Sequence, residues 1–231
     1  MVMLMKNENI KGIIQLVISI AIYYLLEHYF YDVISLVGIK GDLANFIVSL
    51  RYPIICLLLF FIYRDNIHSS KNKYNKSLIM SIIFSLGTFV VLVIADYLLV
   101  KVISTFHSVE YGFTNYFGKS FELNDIYPMA IDLVFIPFIV TVIYVLGVSN
   151  IIKNKTAASV VSGILYGVIH IMNYNCSLEC SFFIVLIPSI IIMLLTYLYK
   201  TTNNIWMVFI SYILFKGLGY QILRYLPWKK M

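Results

Sequence analysis

The sequence predicts an all-α fold, a polytopic integral membrane helical bundle that forms a single domain over residues 1–231. Hydrophobic residues make up 61% of the 231 residues and charged residues only 12%, whereas a soluble domain carries roughly 25% charged residues. The apolar residues also fall into blocks of about twenty, the length that an α-helix needs to cross a hydrocarbon core about 30 Å thick. About seven transmembrane helices are predicted, within a range of six to eight: 12–37, 44–63, 79–104, 127–148, 157–175, 182–199 and 204–226.

The first block follows the basic residues Lys6 and Lys11, as a signal peptide would. Its apolar run is too long for a signal peptide and no small-residue cleavage site follows, so we predict a retained span. Many tyrosines lie at the edges of the predicted spans, where an aromatic belt anchors a protein at the headgroup level. They include Tyr23, Tyr24, Tyr29, Tyr31, Tyr197, Tyr199, Tyr220 and Tyr225.

The distribution of basic residues predicts the orientation of the chain. They fall in the N-terminus and in alternate loops, at Lys6, Lys11, Arg64, Lys71, Lys73, Lys76, Lys153, Lys155 and Lys200. The positive-inside rule then predicts a cytoplasmic N-terminus, and the residue usage suggests a bacterial plasma membrane. This placement explains the net charge of +6, so the predicted partner is the lipid bilayer and no nucleic acid is predicted. The side of the C-terminus stays open, because the tail after an odd number of spans is basic.

Several ionisable side chains lie inside the predicted spans, where they are costly and usually face the bundle interior. Arg51 is the hardest to place at a helix end, and Tyr52 and Pro53 follow it. One interpretation is a structural ion pair of Arg51 with Glu27 or Asp96. The other is a polar cavity that binds a ligand or peptide. The remaining intramembrane ionisable residues are Asp32, Asp132, His170 and Lys216.

Tyr166 and His170 form the most specific chemical pattern in the chain. They lie four residues apart and share a helix face, with Asn173 close to that face. Gly163 and Gly167 form a ridge of small residues that lets another helix approach closely. A histidine between helices can be a general base, a metal ligand or a hydrogen-bonded core residue, and the pattern alone leaves these open.

Cys176 and Cys180 lie together just after the predicted span 157–175. An oxidising compartment would allow them to form a disulfide. The spacing also occurs in metal sites, but two thiols alone are a weak metal signal. We therefore keep a disulfide as the possible modification and predict neither a metal site nor a cofactor.

The segment around His170 resembles the second motif, F-x-x-x-H, of the CAAX protease and bacteriocin-processing family (CPBP, also called Abi). Tyr166 stands at the aromatic, His170 at the histidine and Asn173 at an asparagine that often follows. A phrase similar to the family's T-G-N-I-W runs from Thr202 to Trp206. The resemblance implies a CPBP-like core at residues 127–220. Members of this family are intramembrane proteases, so the resemblance also raises the question of protease activity.

The family's other motif positions hold unexpected residues. Alignment on Pro137 places Val140 and Thr141 at the two glutamates of E-E-x-x-x-R and Val145 at the arginine, and Ser211 stands at the last histidine. None of these side chains can act as a base near neutral pH, a property that water activation needs. Asp132 lies eight residues before Val140, about 12 Å along a helix, so it could substitute only with a different register or a helix broken at Pro137.

The resemblance and its departures together predict a non-catalytic pseudoprotease, a scaffold or regulator that binds a partner membrane protein or peptide. Cell-envelope regulation and bacteriocin immunity are the settings that the resemblance implies. One alternative is an active intramembrane endopeptidase that uses His170 with Asp132 as a non-standard acid, and another is a peptide or small-solute carrier. No catalytic residue is otherwise assigned. The predicted binding cavity comprises Tyr166, His170, Asn173, Ser211 and Arg51.

Overall fold

The computed structural model describes residues 2–76, 78–104, 126–171 and 178–219, and every regular element within these ranges is a helix. The predicted all-α fold class is therefore confirmed. The elements are α1 (Val2–Leu36), α2 (Asp42–Ser49), α3 (Arg51–Ile62), α4 (Arg64–Lys76), α5 (Leu78–Ser104), α6 (Ile126–Ile151), α7 (Lys155–Ile171), α8 (Leu178–Thr202) and α9 (Ile205–Gly219).

Five stretches in the described ranges are long and apolar enough to cross a membrane, so the protein is a multi-pass membrane protein in a lipid bilayer. They are Asn9–Leu36, Leu43–Ile62, Leu78–Val102, Ile126–Ile151 and Val185–Thr202. The two other predicted spans correspond to α7 and α9, which are apolar but shorter. Residues 172–175 and 220–226, which complete those two predicted spans, lie outside the described residues.

Helix α6 is the centre of the bundle. In its most apolar window 67% of the residues are buried, against 11% in the window of α1. Two π-helical turns, Ile131–Phe135 and Thr141–Gly147, interrupt it. Pro137 follows the first turn and cannot donate a backbone hydrogen bond, which favours such a local rearrangement. The second turn releases the Tyr144 carbonyl, which accepts a hydrogen bond from Ser162 Oγ of α7 at 2.6 Å.

Helices α7 and α8 approach closely because α7 presents glycine at the contact. A Cβ atom added to Gly163 would collide with the side chain of Met193 and lie 2.7 Å from the carbonyl oxygen of Ser189. A Cβ on Gly167 would lie 3.0 Å from Ser189 Oγ. The ridge of small residues that the sequence predicts is thus used for this contact.

Helix α4 corrects the expectation that its basic residues lie in a loop. Its buried Ile67 and Ser70 lie on the inner side, and Asn66 Nδ2 donates to Asn150 Oδ1 of α6 at 3.3 Å. These inward contacts explain why a polar segment forms a helix, because tertiary packing supplies most helical stability in proteins. A single residue, Tyr63, separates this helix from the end of α3.

Candidate functional site

Helix α7 holds His170 in a defined orientation. Its ring lies 4.0 Å from the Tyr166 ring, centroid to centroid, with an interplanar angle of 14°. His170 Nδ1 lies 2.9 Å from the carbonyl oxygen of Tyr166. Since a carbonyl only accepts hydrogen bonds, we assign the proton to Nδ1, and Nε2 of the neutral ring then carries a free lone pair.

Three tyrosines from three helices surround the His170 ring. The hydroxyl of Tyr23 in α1 lies 3.4 Å from His170 Nε2, so we take the hydroxyl as the donor of this long hydrogen bond. The Tyr144 ring of α6 meets the Tyr166 ring edge to face at 5.2 Å and tilts against His170 at 5.8 Å. We call Tyr23, Tyr144, Tyr166 and His170 the tyrosine–histidine cluster.

Tyr144 is a further polar group in this cluster. The residue is 1% exposed, and its hydroxyl has no hydrogen-bond partner among the described residues. It interacts electrostatically with Tyr23, so the two phenol groups lie in the same part of the bundle. A buried hydroxyl without a partner is costly, and it could donate to a bound acceptor only if the surrounding helices move apart.

A paired charge lies one helical turn from Tyr23. Glu27, four residues further along α1, accepts hydrogen bonds from Arg51 Nε at 3.0 Å and Arg51 Nη2 at 3.2 Å. Arg51 Nη2 also donates to the hydroxyl of Tyr52 at 2.9 Å, and that hydroxyl lies 3.4 Å from Glu27 Oε1. The predicted ion pair is thus present with Glu27 as the partner, whereas Asp96 interacts electrostatically with Lys216.

The ion pair and the tyrosine–histidine cluster are neighbours. Glu27 interacts electrostatically with His170, and Tyr23 on the same face of α1 contacts the imidazole. The structure therefore brings Tyr166, His170 and Arg51 of the predicted cavity into one polar group, linked through α1.

Two other residues of the predicted cavity have different placements. Ser211 is fully buried in α9, with its hydroxyl 2.7 Å from the carbonyl oxygen of Met207 and 3.2 Å from that of Ser85 in α5. It joins α9 to α5 and makes no described contact with His170. Asn173 and Cys176 lie outside the described residues, and the side chain of Cys180 is not described, so the possible disulfide stays a prediction.

The positions aligned with the family's first motif lie on the buried part of α6. Val140, Thr141 and Val145 are at most 4% exposed, and none of them carries a titratable group. The Thr141 hydroxyl has no partner among the described residues and lines a small apolar cleft with Phe138 and Trp206. Asp132 makes no contact with His170 among the described residues.

A comparison with family models matches one part of this chain. Residues 122–218 match the family model described as type II CAAX prenyl endopeptidase Rce1-like. This match confirms the resemblance to the CPBP family, and it spans somewhat less than half of the chain. Comparisons with curated proteins and with solved structures gave no match.

We call residues 122–218 the Rce1-like segment. The T-G-N-I-W-like phrase, Thr202–Trp206, lies near its end, and the local geometry explains two residues of that phrase. Asn203 has a φ of 52°, a conformation that glycine tolerates best and asparagine next best. Asn204 caps α9, accepting a hydrogen bond from the backbone N–H of Met207 at 3.2 Å. Its amide nitrogen donates to Ser81 Oγ of α5 at 3.2 Å.

Sequence reasoning missed the contribution of α1, which lies outside the Rce1-like segment. Tyr23 was assigned only to the aromatic belt, and Glu27 was considered only as an ion-pair partner. The four-residue spacing of Tyr23 and Glu27 within an apolar span was a signal of a shared polar face. The sequence did not indicate that His170 would lie against this face.

Proposed function

We propose that this chain is a non-catalytic CPBP-like membrane protein, a pseudoprotease that acts as a scaffold or regulator and binds a partner membrane protein or peptide. Regulation of a cell-envelope enzyme and bacteriocin immunity are the settings proposed for it. The Rce1-like match supports a membrane protease-type family, and the absence of reactive groups at the aligned positions supports loss of the reaction.

The observation that carries the proposal is the hydrogen bonding of Glu27, a carboxylate that interacts electrostatically with His170. Both oxygens of Glu27 accept hydrogen bonds from Arg51, and Tyr52 supplies a further contact. These contacts occupy most of the roughly four acceptor positions of a carboxylate, so Glu27 is poorly placed to bind and orient an attacking water. His170 Nε2, in turn, faces the hydroxyl of Tyr23.

The same geometry is suited to binding. The hydroxyl of Tyr144 has no described partner, and the rings of Tyr166 and His170 form a stacked apolar surface beside it. A peptide carbonyl could accept a hydrogen bond from this phenol while neighbouring apolar side chains lie against the rings. Buried polar groups of this kind give recognition sites their specificity.

One observation favours the active endopeptidase as the second candidate. The Tyr166 carbonyl fixes the imidazole so that Nε2 is the proton-accepting atom, as a general base requires. The proposed acid Asp132 has no described contact with His170, so this candidate rests on the histidine alone. The carrier has less support, because Arg51 and Glu27 bind each other.

The test is purification of the full chain from its host in mild detergent, with mass spectrometry of what accompanies it. We expect one stoichiometric membrane partner, recovered with both the wild type and His170→Gln, and no trimmed peptide from either. The matched control is His28→Gln, because His28 is an exposed residue of α1 that lies against Tyr24 and outside the cluster.

The second part of the test concerns partner binding and uses the variant Tyr144→Phe, which removes only the hydroxyl that has no described partner. We expect it to lower partner recovery while the thermal unfolding of the variant stays at or above that of the wild type. Trimmed peptides that disappear with His170→Gln but persist with His28→Gln would overturn the proposal and support the peptidase. Partner recovery that is unchanged by Tyr144→Phe would place the binding surface elsewhere.

A further inference from the structure

One end of the bundle is assembled around the last turn of α6. Asn66 of α4 donates to Asn150 at 3.3 Å. Lys200 of α8 donates through Nζ to the carbonyl oxygen of Ser149 at 3.2 Å. Gly12 of α1 lies against the same turn. Four helices that are distant in sequence therefore end, begin or cross at this place.

Six basic residues lie close in sequence to the residues that meet at this place. We call the following six residues the basic end: Lys11, Arg64, Lys71, Lys153, Lys155 and Lys200. Five of them are exposed and Lys200 is half-buried. Asp65 is the acidic residue at this end whose side chain is described, and none of the six cations forms an ion pair with a described carboxylate.

Unpaired like charges at one place repel each other, and the repulsion is relieved by anions from the surroundings. Helix α4 adds Arg64 and Lys71 to this end of the bundle, because it is held against α6 and α8. Asn66 fixes it to α6, and Ser70 is hydrogen bonded to Tyr199 of α8. The positive-inside rule accounts for cations on one side of a membrane, but it does not require them to be gathered on a folded helix.

The depth of these residues in the membrane indicates which anion they meet. Arg64 begins α4 two residues after α3 ends at Ile62. Lys155 is the first residue of α7, and Lys200 lies two residues before the end of α8. Residues at the ends of spanning helices lie at the level of the headgroups, where lipid phosphates are concentrated.

We propose that the basic end binds anionic phospholipid headgroups, independently of the function proposed above. Lys153 and Lys155 flank the short connection between α6 and α7, and both are exposed. Arg64 lies on α4, which Asn66 fixes to the last turn of α6, just before this connection. The phosphate supplies the negative charge that no described carboxylate supplies to these cations. The acyl chains of the same lipid lie along the exposed apolar faces of the spans.

The experiment measures lipid binding to the purified full chain in neutral detergent by native mass spectrometry. The probes are phosphatidylglycerol, which is anionic, and phosphatidylcholine, which is zwitterionic, with identical acyl chains. We expect phosphatidylglycerol to bind at least tenfold more tightly. Each cation near a membrane surface contributes a factor of about five, so Lys153→Gln with Lys155→Gln should weaken phosphatidylglycerol binding about tenfold or more, to near that of phosphatidylcholine.

The matched control is Lys40→Gln, an exposed lysine between α1 and α2. It lies roughly 40 Å from Lys11 along the axis of α1, and its change should leave phosphatidylglycerol binding unaltered. Thermal unfolding of both variants verifies that they are folded.

Three results would overturn the proposal. Equal affinity for the two lipids would show that charge is not recognised. An equal loss in the Lys40 variant would show that binding is a property of the whole surface. If glycerol phosphate or an acidic peptide competed as well as phosphatidylglycerol at equal concentration, the site would be one for a free anion or a protein segment.

Discussion

The pair of Arg51 and Glu27 offers the sharpest test of how this membrane site is built. Arg51 Nε and Nη2 lie 3.0 and 3.2 Å from the two carboxylate oxygens, and the side chains are 17% and 23% exposed. At about 4 Å between charge centres and an effective dielectric constant of about 20, the Coulomb attraction is about 4 kcal/mol. Desolvation and partial exposure reduce it, so we expect a net coupling energy of about 1.5–3 kcal/mol.

A double-mutant cycle isolates that coupling energy. Arg51→Gln leaves a buried carboxylate without its cation and should lower the free energy of unfolding by about 2–4 kcal/mol. Glu27→Gln should cost a similar amount, and the double variant should lose less than the sum of the two. The assay is reversible unfolding in mixed micelles of neutral detergent and dodecyl sulfate, followed by tryptophan fluorescence.

The control for this cycle is Asp32→Asn, on the same helix as Glu27. Asp32 is exposed and forms no ion pair among the described residues, so its change should stay within about 0.5 kcal/mol. A coupling energy below about 0.5 kcal/mol between Arg51 and Glu27 would refute the argument. It would mean that the pair contributes no net stability and that Arg51 is available to a ligand.

Three further predictions concern packing and buried polar groups. Gly163→Val should lower the free energy of unfolding by about 3 kcal/mol, because its side chain would meet Met193 and Ser189, whereas Gly87→Val on the open face of α5 should change it little in the same micelle assay. Thr141→Val should raise the unfolding temperature, since it replaces a hydroxyl that has no described partner by a methyl group of similar size, and a lower temperature would reveal an unseen partner. Asn204→Ala should cost about 1–3 kcal/mol by removing the cap of α9 and the bond to Ser81, whereas Asn203→Gly should be neutral or stabilising at its φ of 52°.

The sequence was sufficient to predict the helical membrane fold, because the length and hydropathy of a span are local properties of the chain. It was not sufficient to predict α4. Arg64–Lys76 has no apolar period strong enough to mark a helix, and it becomes helical through contacts such as that of Asn66 with Asn150. Those contacts depend on the end of another helix 84 residues away.

The candidate site was also predictable only in part. Tyr166 and His170 were predictable because they lie one turn apart on a single helix, as their stacked rings show. Tyr23 was not, because the order of spans along a chain does not specify which of them are neighbours in a bundle. Its contact with His170 joins residues separated by 147 positions.

The contribution of α1 and α3 bears on what kind of site this is. The Rce1-like match begins at residue 122, so Tyr23, Glu27 and Arg51 come from the part of the chain that the match does not cover. Glu27 places a carboxylate near His170, yet hydrogen bonds from Arg51 and Tyr52 already occupy both of its oxygens. The contacts that stabilise the bundle are therefore the same contacts that keep this carboxylate from orienting a water molecule. A large coupling energy between Arg51 and Glu27 would mean that the carboxylate is rarely released from Arg51, which supports the proposal of a site that holds a partner over one that hydrolyses it.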